Sequence, residues 1–214
     1  MYLPKHFEET HVPILHDLIR AYPLGALVVL TANGLGANHI PFEVDPDPTP
    51  FGTLRGHIAR ANPLWRERSR DVEALVIFQG VSTYVSPSWY QTKRETGRVV
   101  PTWNYAVVHA HGAPRFIDDR AWLRAFVEQL TNRHEAARPD RWKITDAPPE
   151  YIEQQLGAII GLEIPITRLI GKWKLSQNRP APDRAGVVDG LLREGGHAGA
   201  TMSQLMRQSS GPTP

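Results

Sequence analysis

Apolar and polar residues alternate with the two-residue period of β-strands in several stretches of the chain. The first two stretches are joined by Asn33-Gly34, a dipeptide typical of tight hairpins, which indicates an antiparallel pair. The predicted strands are 24–31, 36–44, 53–59, 73–85 with a break at Gly80, 99–112, its return strand 114–117, and one strand within 162–175. Short strands connected in this way favour an antiparallel barrel over a doubly wound parallel sheet.

Other stretches have apolar residues at helical spacing or begin with helix-capping residues. Asn62 is the expected N-cap of a short helix with Pro63 at its first position, and Asp118 or Asp119 caps a longer one. The predicted helices are 7–22, 63–68, 86–97, 119–135, 149–159 and pieces of 184–207 interrupted at Gly195-Gly196. Residues 45–52 are expected to form a surface loop and 209–214 a disordered tail.

This pattern predicts a mainly β, α+β fold in which peripheral helices cover antiparallel strands. The core is expected at apolar positions whose periodicity points inward. These positions are Leu27, Val29, Leu75, Ile77, Val107, Trp122, Phe126 and Leu130.

Composition narrows the class of protein. A chain of 214 residues fits one domain, and 24 Lys plus Arg against 22 Asp plus Glu leave a net charge of only +2, without the global basic field of nucleic-acid binders. The absence of cysteine excludes disulfides, thiolate metal sites and cysteine nucleophiles. No apolar run approaches the roughly 20 residues of a spanning helix, and no secretory signal is evident at the N-terminus. We therefore expect a soluble cytoplasmic protein without a membrane partner.

The stretch 102–105 is unusual for a strand because it places Thr102, Trp103, Asn104 and Tyr105 side by side. A hydroxyl, an amide and two aromatic faces suit a planar, polar ligand that is stacked upon and hydrogen-bonded at its rim. The alternative interpretation is an aromatic-rich strand at a dimer interface or in a barrel core.

The stretch 55–62 combines Arg55, His57 and Arg60 with Asn62. On an extended segment, one face could present cationic donors to a phosphate, and the helix that begins at Pro63 would add backbone N–H groups and a favourable dipole. The alternative is an exposed strand edge with solvated arginine, which is the usual fate of that residue.

The stretch 171–179 places Lys172 and Lys174 on one face of a strand and ends in Ser176, Gln177 and Asn178. A solvated pair of lysines that protects a sheet edge explains the pattern equally well. The nine histidines have no accompanying carboxylate or cysteine at a recurrent ligand spacing, so no metal site is predicted. No residue is assigned a catalytic role, since neither a Gly-x-Ser-x-Gly sequence nor another recognisable catalytic arrangement is present.

Four stretches together resemble the PaiB family, whose members are described as FMN-binding negative transcriptional regulators. They are GHIARANP at 56–63, YVSPSWY at 84–90, VPTWNY at 100–105 followed by His109 and Gly112, and GKWKLSQN at 171–178. The resemblance covers residues 1–193 in order, which we expect to be one split-barrel domain. Residues 194–214 lie outside it and are expected to be a partly disordered C-terminal extension.

The resemblance implies the antiparallel split β-barrel of FMN-binding proteins related to pyridoxamine-phosphate oxidase, as a homodimer with flavin at the subunit interface. It implies that Arg60, Asn62 and, with less support, His57 contact the flavin phosphate. It also implies ligands to the flavin ring system from Thr102, Trp103, Asn104 and Tyr105, and from Lys172, Ser176 and Gln177 of the partner subunit.

Two functions remain open for the bound flavin. The family description implies a negative transcriptional regulator, and DNA as a partner rests on that resemblance alone. The alternative is a flavin-dependent oxidoreductase of the flavin reductase or heme-degrading type, in which the cofactor carries the redox chemistry and the protein supplies orientation and access.

Overall fold

The computed structural model describes residues 1–47 and 50–209, which form two compact units. Unit 1 comprises Met1–Leu18, Gln79–Val108 and the described part of Ile170–Pro214, and unit 2 comprises Ile19–Phe78 and His109–Leu169. Most of the predicted tail, 210–214, and positions 48–49 of the predicted loop lie outside the described residues.

The described residues contain strands of two to twelve residues. They are β1 (Glu8–Glu9), β2 (Leu24–Thr31), β3 (Gly34–Pro41), β4 (Glu43–Asp45), β5 (Thr53–Ala59), β6 (Ala74–Val85), β7 (Thr102–Gly112), β8 (Arg115–Ile117), β9 (Ile159–Pro165) and β10 (Arg168–Lys174). The helices are α1 (Val12–Ala21), α2 (Leu64–Glu67), α3 (Gln91–Thr96), α4 (Arg120–Glu135), α5 (Pro149–Gly157), α6 (Ala181–Glu194) and α7 (Gly196–Gln208). No helix in the described ranges is long and apolar enough to cross a bilayer.

The strands form two sheets, with the orders β1-β10-β7-β6-β2-β3 and β4-β5-β9-β8. The pairs β1–β10, β2–β3, β2–β6, β4–β5, β5–β9 and β8–β9 are all antiparallel. This arrangement, together with the added helices, confirms the predicted antiparallel split-barrel class of α+β fold.

In unit 2, the predicted hairpin at Asn33-Gly34 joins β2 to β3 without a break in register, from Leu24 opposite Pro41 to Thr31 opposite Gly34. Gly34 has φ of +105°, a conformation that costs glycine little. Leu27 and Val29 on the inner face of β2 are buried, as predicted.

The prediction of which β6 residues face the core is wrong. Ala74, Val76 and Phe78 are buried, whereas Leu75 and Ile77 are only partly covered. Five consecutive apolar residues, 74–78, contain no alternation, so the pattern does not distinguish the two faces of the strand.

The predicted break in β6 at Gly80 is also wrong, because the strand runs unbroken from Ala74 to Val85. A Cβ atom on Gly80 would lie 3.0 Å from Leu18 Cδ1 and 3.2 Å from the Ala106 carbonyl oxygen. The glycine therefore serves a close approach of neighbouring elements and does not end the strand.

Other predicted elements also differ from the structure, among them the strand 36–44, which is two strands in different sheets, β3 and β4. The helix expected over 7–22 begins at Val12, with Pro13 in its first turn, and Glu8–Glu9 instead pair with β10. The single strand expected within 162–175 is two strands in different sheets, which separate after Pro165. The strand expected to return alongside 99–112, β8, pairs with β9.

Helix α4 of unit 2 begins as predicted, since the Asp119 carboxylate accepts a hydrogen bond of 2.7 Å from the Trp122 N–H. Phe126 is buried as predicted, whereas Trp122 and Leu130 are only partly covered. The Leu123 side chain of this helix packs with Ile144, Ile152 and Leu156.

In unit 1, α6 and α7 are interrupted at the predicted Gly195-Gly196, where Gly196 has φ of +55°. The buried Asp183 carboxylate on α6 accepts hydrogen bonds of 2.9 Å from both the N–H and the hydroxyl of Thr92 on α3. Val107 on β7, a predicted core residue, is buried.

Candidate functional site

The site that sequence reasoning favoured most lies in unit 1, where β7 and the end of β10 line a small cavity. Alternation along β7 places Thr102 and Asn104 on the same face of the strand. The cavity has a volume of about 40 Å³ and is lined by Thr102, Asn104, Lys174, Ser176, Asn178 and Arg179. We call these six residues the polar pocket. Each of them carries a hydrogen-bonding side chain and none is acidic.

Lys174 supplies the central charge of the polar pocket. Its ammonium group donates hydrogen bonds to the Thr102 hydroxyl and to the Trp103 carbonyl oxygen, which are both neutral acceptors. Burial lowers the pKa of Lys174 from its ordinary value, and the nearby charges of Lys172 and Arg179 lower it further.

A second lysine of β10 is almost completely buried. Lys172 is 7% exposed, and its Nζ atom donates a hydrogen bond of 3.0 Å to the Tyr2 carbonyl oxygen. The Lys172 and Lys174 Nζ atoms lie 5.4 and 6.0 Å from the ring centroid of Tyr105, within the range of cation–π attraction. The two lysines and Tyr105 therefore form a continuous cationic and aromatic patch.

Asn104 is fully buried, and its amide is fixed from two sides. The Ser176 hydroxyl donates to its Oδ1 at 3.0 Å, and its Nδ2 lies 3.6 Å from the Met206 sulfur, a weak acceptor. Ser176 has φ of +64°, a left-handed conformation that is strained for serine. Strain of this kind persists where the surrounding contacts impose it, here directly beside the pocket.

Gln177 and Trp103, two further predicted ligands, are placed differently. The Gln177 amide is hydrogen-bonded to the backbone, since its oxygen accepts from the Leu175 N–H at 2.7 Å and its nitrogen donates to the Trp173 carbonyl at 2.6 Å. Trp103 alternates with Thr102 and Asn104 and lies on the other face of β7. Its ring is 55% exposed and meets Tyr84 edge to face, with a centroid distance of 6.2 Å.

The other three predicted ligands, His57, Arg60 and Asn62, lie in unit 2. The Arg60 guanidinium forms a two-pronged ion pair with Asp118, with N–O distances of 2.5 and 2.7 Å. It also donates to the Gly157 and Ile159 carbonyl oxygens at 2.8 and 3.1 Å. The hydrogen bond to Arg60 lowers the pKa of Asp118, so the pair is charged at neutral pH.

Asn62 also has local partners. Its Oδ1 accepts from the Leu64 N–H at 3.0 Å, which is the predicted capping interaction, and its Nδ2 donates to the Asn38 side chain at 2.8 Å. The helix it caps, α2, has only four residues. The expectation that the dipole of this helix favours phosphate binding is therefore wrong, because one turn is too short to build a substantial dipole.

His57 is mostly buried on β5, and its ring lies 6.1 Å from that of Phe126. Its Nδ1 has no hydrogen-bond partner in the part of the chain that the structure describes. Burial lowers the pKa of His57 below its ordinary value of 6.5, so the ring is neutral at pH 7.

Unit 1 thus brings Thr102, Asn104 and Ser176 together, with Lys172 and Tyr105 beside them. Lys174 and Arg179 are functional candidates that the predicted ligand set omitted, although Lys174 shares the two-residue period of Lys172. No sequence pattern pointed to Met206 as a partner of Asn104 or to Asp118, a candidate helix cap, as the partner of Arg60. Within residues 1–47 and 50–209, no three His, Asp or Glu side chains are grouped so as to hold a metal ion.

Comparison with known proteins gives concordant results. An uncharacterized protein of Aspergillus fumigatus is 35% identical, over 97% of this chain and 97% of that protein. The protease synthase and sporulation protein PAI 2 of Bacillus subtilis is 29% identical, over 96% of each chain. The FAD and heme binding protein of Mycobacterium smegmatis has a similar fold, with a TM-score of 0.59, 17% identity, and coverage of 83% of this chain and 78% of that one.

A family model described as "Putative FMN-binding domain" matches residues 1–168. The match, together with the similarity to PAI 2, confirms the predicted PaiB-type family and its predicted cofactor, FMN. The chain belongs to this FMN-binding domain family.

Proposed function

We propose that this protein is an FMN-binding flavoprotein that binds its cofactor at the polar pocket and the adjoining Lys172 and Tyr105. One observation supports this placement above all. A fully buried amide, Asn104, is held by Ser176 in the wall of a cavity whose other lining side chains are all hydrogen-bonding and include two cations and no carboxylate. FMN is planar, polar at its rim and anionic, so each of its recognisable features has a matching group in this set.

The volume of the cavity limits how FMN enters. A space of about 40 Å³ admits one small polar group of the cofactor, not its three fused rings. The remainder of the cofactor lies outside the cavity, and Trp103, on the other face of β7, stays a predicted ligand that does not line the pocket. His57, Arg60 and Asn62 remain predicted ligands, although Arg60 and Asn62 are hydrogen-bonded to partners within unit 2.

Fluorescence titration of FMN with the purified protein tests the proposal. Binding is expected to quench the flavin, and Thr102→Val, which removes one hydroxyl from the pocket, should weaken binding several-fold. Thr92→Val is a matched control, because Thr92 lies on α3 and contacts Asp183, outside the pocket. Absence of quenching with excess FMN would contradict the placement.

We further propose that the protein is a homodimer. The outer faces of β2, β3 and β6 form a continuous apolar surface in unit 2, in which Val28 lies opposite both Ala37 and Leu75. Leu24, Leu30 and Leu35 on this surface are 61%, 40% and 79% exposed. The residues of the surface are Leu24, Ala26, Val28, Leu30, Leu35, Ala37, His39, Pro41, Leu75 and Ile77.

A second copy of the chain is the occupant that best suits this surface. None of its ten residues is Asp, Glu, Lys or Arg, so a two-fold contact of the surface with itself would oppose no side chains of these types. Val28→Asp should convert the dimer to a folded monomer, as measured by sedimentation. Leu192→Asp, at an apolar residue of α6 that is 49% exposed, is the control and should leave the mass unchanged. A wild-type monomer at working concentration would contradict the proposal.

Two roles for the flavin have separate support. Negative transcriptional regulation, the role implied by the family resemblance, is supported by the similarity to a relative named for protease synthesis and sporulation. The second helix of the α6–α7 hairpin carries only His197 and Arg207 as basic residues, so it lacks the charge of a DNA recognition helix. A regulator of this kind would need another basic surface or a protein partner.

A flavin-dependent oxidoreductase is supported by the exposed Tyr84–Trp103 pair, which leaves an aromatic surface open to a second planar molecule next to β7. A bound flavin supplies hydride and single-electron transfer, and the protein orients it and controls access. Anaerobic mixing of the FMN-loaded protein with NADH or NADPH separates the two roles. Rapid bleaching with turnover in air supports the enzyme, whereas salt-sensitive, sequence-selective retention of DNA without bleaching supports the regulator.

A further inference from the structure

We propose that the polar pocket is an oxyanion site, in which Lys174 and Arg179, with Lys172 behind them, bind a phosphate or carboxylate group. Where that group is the phosphate of FMN, the inference rests on the proposed function and fixes which end of the cofactor enters the cavity. Where it belongs to a separate molecule, the pocket is the binding site of an anionic second ligand.

The positive charges around the pocket have no counter-ion among the residues that the structure describes. Lys172, Lys174 and Arg179 form no ion pair with any carboxylate among residues 1–47 and 50–209. Glu8 lies opposite Lys172 in the β1–β10 register, but the Lys172 ammonium bonds to the Tyr2 carbonyl. A buried or half-buried cation costs free energy unless an anion compensates it, so the two cations of the pocket, with Lys172 behind them, favour an anionic ligand.

The donors of the pocket retain hydrogens for a ligand. Lys174 uses two of its three N–H groups on Thr102 and Trp103, which leaves one N–H for a ligand. The Thr102 hydroxyl accepts from Lys174, so its own hydrogen is available for donation. Arg179 is positioned by the Tyr90 ring, 4.9 Å from its guanidinium carbon, and its fork of donors matches an oxyanion.

The cavity has the size and the lining that an oxyanion needs. A volume of about 40 Å³ suits one small group, and its lining contains donors from Lys174, Arg179, Asn178 and the Thr102 hydroxyl without a competing carboxylate. A neutral ring edge would leave the lysine charges uncompensated. An oxyanion satisfies both the donors and the charges, and its binding would raise the lowered pKa of Lys174.

The test measures binding of FMN and of riboflavin, which lacks the phosphate, by wild type and Lys174→Gln. If the pocket holds the FMN phosphate, wild type binds FMN at least about tenfold more tightly than riboflavin. Lys174→Gln then removes most of this preference, riboflavin binding is little changed, and inorganic phosphate competes with FMN. Lys174→Arg, which retains the charge, is expected to restore much of the preference.

A second experiment tests whether the pocket binds an anion that is not part of FMN. Thermal unfolding of wild type is compared in inorganic phosphate and in sodium chloride of equal ionic strength. Stabilisation by phosphate that Lys174→Gln abolishes supports an oxyanion site, and FMN affinity that is then equal to riboflavin affinity assigns it to a second molecule. Lys93→Gln, at an exposed lysine of α3, is the matched control and should change neither result.

These measurements also separate failure of the inference from failure of the proposed function. If the protein binds no flavin but is stabilised by phosphate in a Lys174-dependent way, the oxyanion site is supported and the proposed flavin site is contradicted. Flavin binding without preference for FMN, without competition or stabilisation by phosphate, and without an effect of Lys174→Gln would overturn the oxyanion site.

Discussion

Two cationic clusters of this protein, one in each unit, differ in how their charge is compensated. In unit 2, Arg60 pairs with Asp118 through two hydrogen bonds and adds two more to backbone carbonyls. In unit 1, Lys172 and Lys174 bond only to neutral oxygens. Both clusters were predicted from the same kind of signal, basic residues on a strand, yet only the second lacks an internal counter-ion.

The presence or absence of an internal counter-ion distinguishes a cation with a structural role from one that is free to bind an anionic ligand. The partners of Arg60 come from α5, β9 and the segment before α4, so its side chain ties the end of β5 to elements distant in sequence. The lysines of β10 pair with no carboxylate of the described residues, so the free-energy cost of burying their charges is not offset by an ion pair. A basic residue is a stronger binding candidate when its folded environment leaves its charge uncompensated.

The largest expected effect comes from giving the unit 1 cluster a carboxylate of its own. Thr102→Asp places an acidic group where the Thr102 hydroxyl now accepts from Lys174. We expect it to weaken FMN binding by about 100-fold, since the carboxylate neutralises the lysine and repels the cofactor's charge. Flavin fluorescence titration measures the change.

Thr102→Asn is the matched control, because it has the same shape as the aspartate without the charge. It should weaken FMN binding by less than about tenfold. Equal losses in the two variants would show that shape at position 102, not charge, controls binding.

A smaller effect on FMN, and a larger one on stability, is expected in unit 2. Arg60→Ala removes four hydrogen bonds, so we expect the unfolding midpoint to fall by several degrees. FMN binding should weaken by no more than about threefold, because the charge of Arg60 is already matched by Asp118.

Asp118→Asn sharpens this comparison, because it leaves the guanidinium in place without its counter-ion. We expect a similar loss of thermal stability and little change in FMN affinity. A marked gain in FMN affinity in Asp118→Asn would instead show that Arg60 is a phosphate ligand that Asp118 holds back.

Local signals in the sequence sufficed for most of the fold. Asn33-Gly34 fixed the first hairpin, Asp119 the start of α4 and Gly195-Gly196 the division between α6 and α7. These features depend on a few neighbouring residues, so they can be inferred from sequence alone. The inner face of β6 could not, because 74–78 is apolar throughout.

The environment of the candidate site depended on contacts between distant residues. Asp118 meets Arg60 across 58 positions, and Met206 meets Asn104 across 102 positions. No local pattern marks either pair, and the left-handed conformation of Ser176 follows from its surroundings. The sequence therefore identified residue types suited to binding, whereas the structure shows which of their charges and amides are already engaged.

The smallest predicted effect concerns His57, the third predicted ligand in unit 2. Burial against Phe126 lowers the pKa of His57 below its ordinary value of 6.5. Between the folded and unfolded pKa values, the unfolded chain binds the proton and the folded one does not, so stability falls as the pH drops through about 6.5 and is constant above it. His57→Gln removes this dependence, and its unfolding midpoint should decrease less than that of wild type from about pH 7.5 to about pH 5.5. Burial also lowers the pKa values of His109 and His111, so the variant retains part of the slope and the prediction concerns the difference. Identical slopes in the two proteins would show that His57 takes up its proton without loss of folding, as a histidine near a bound anion would.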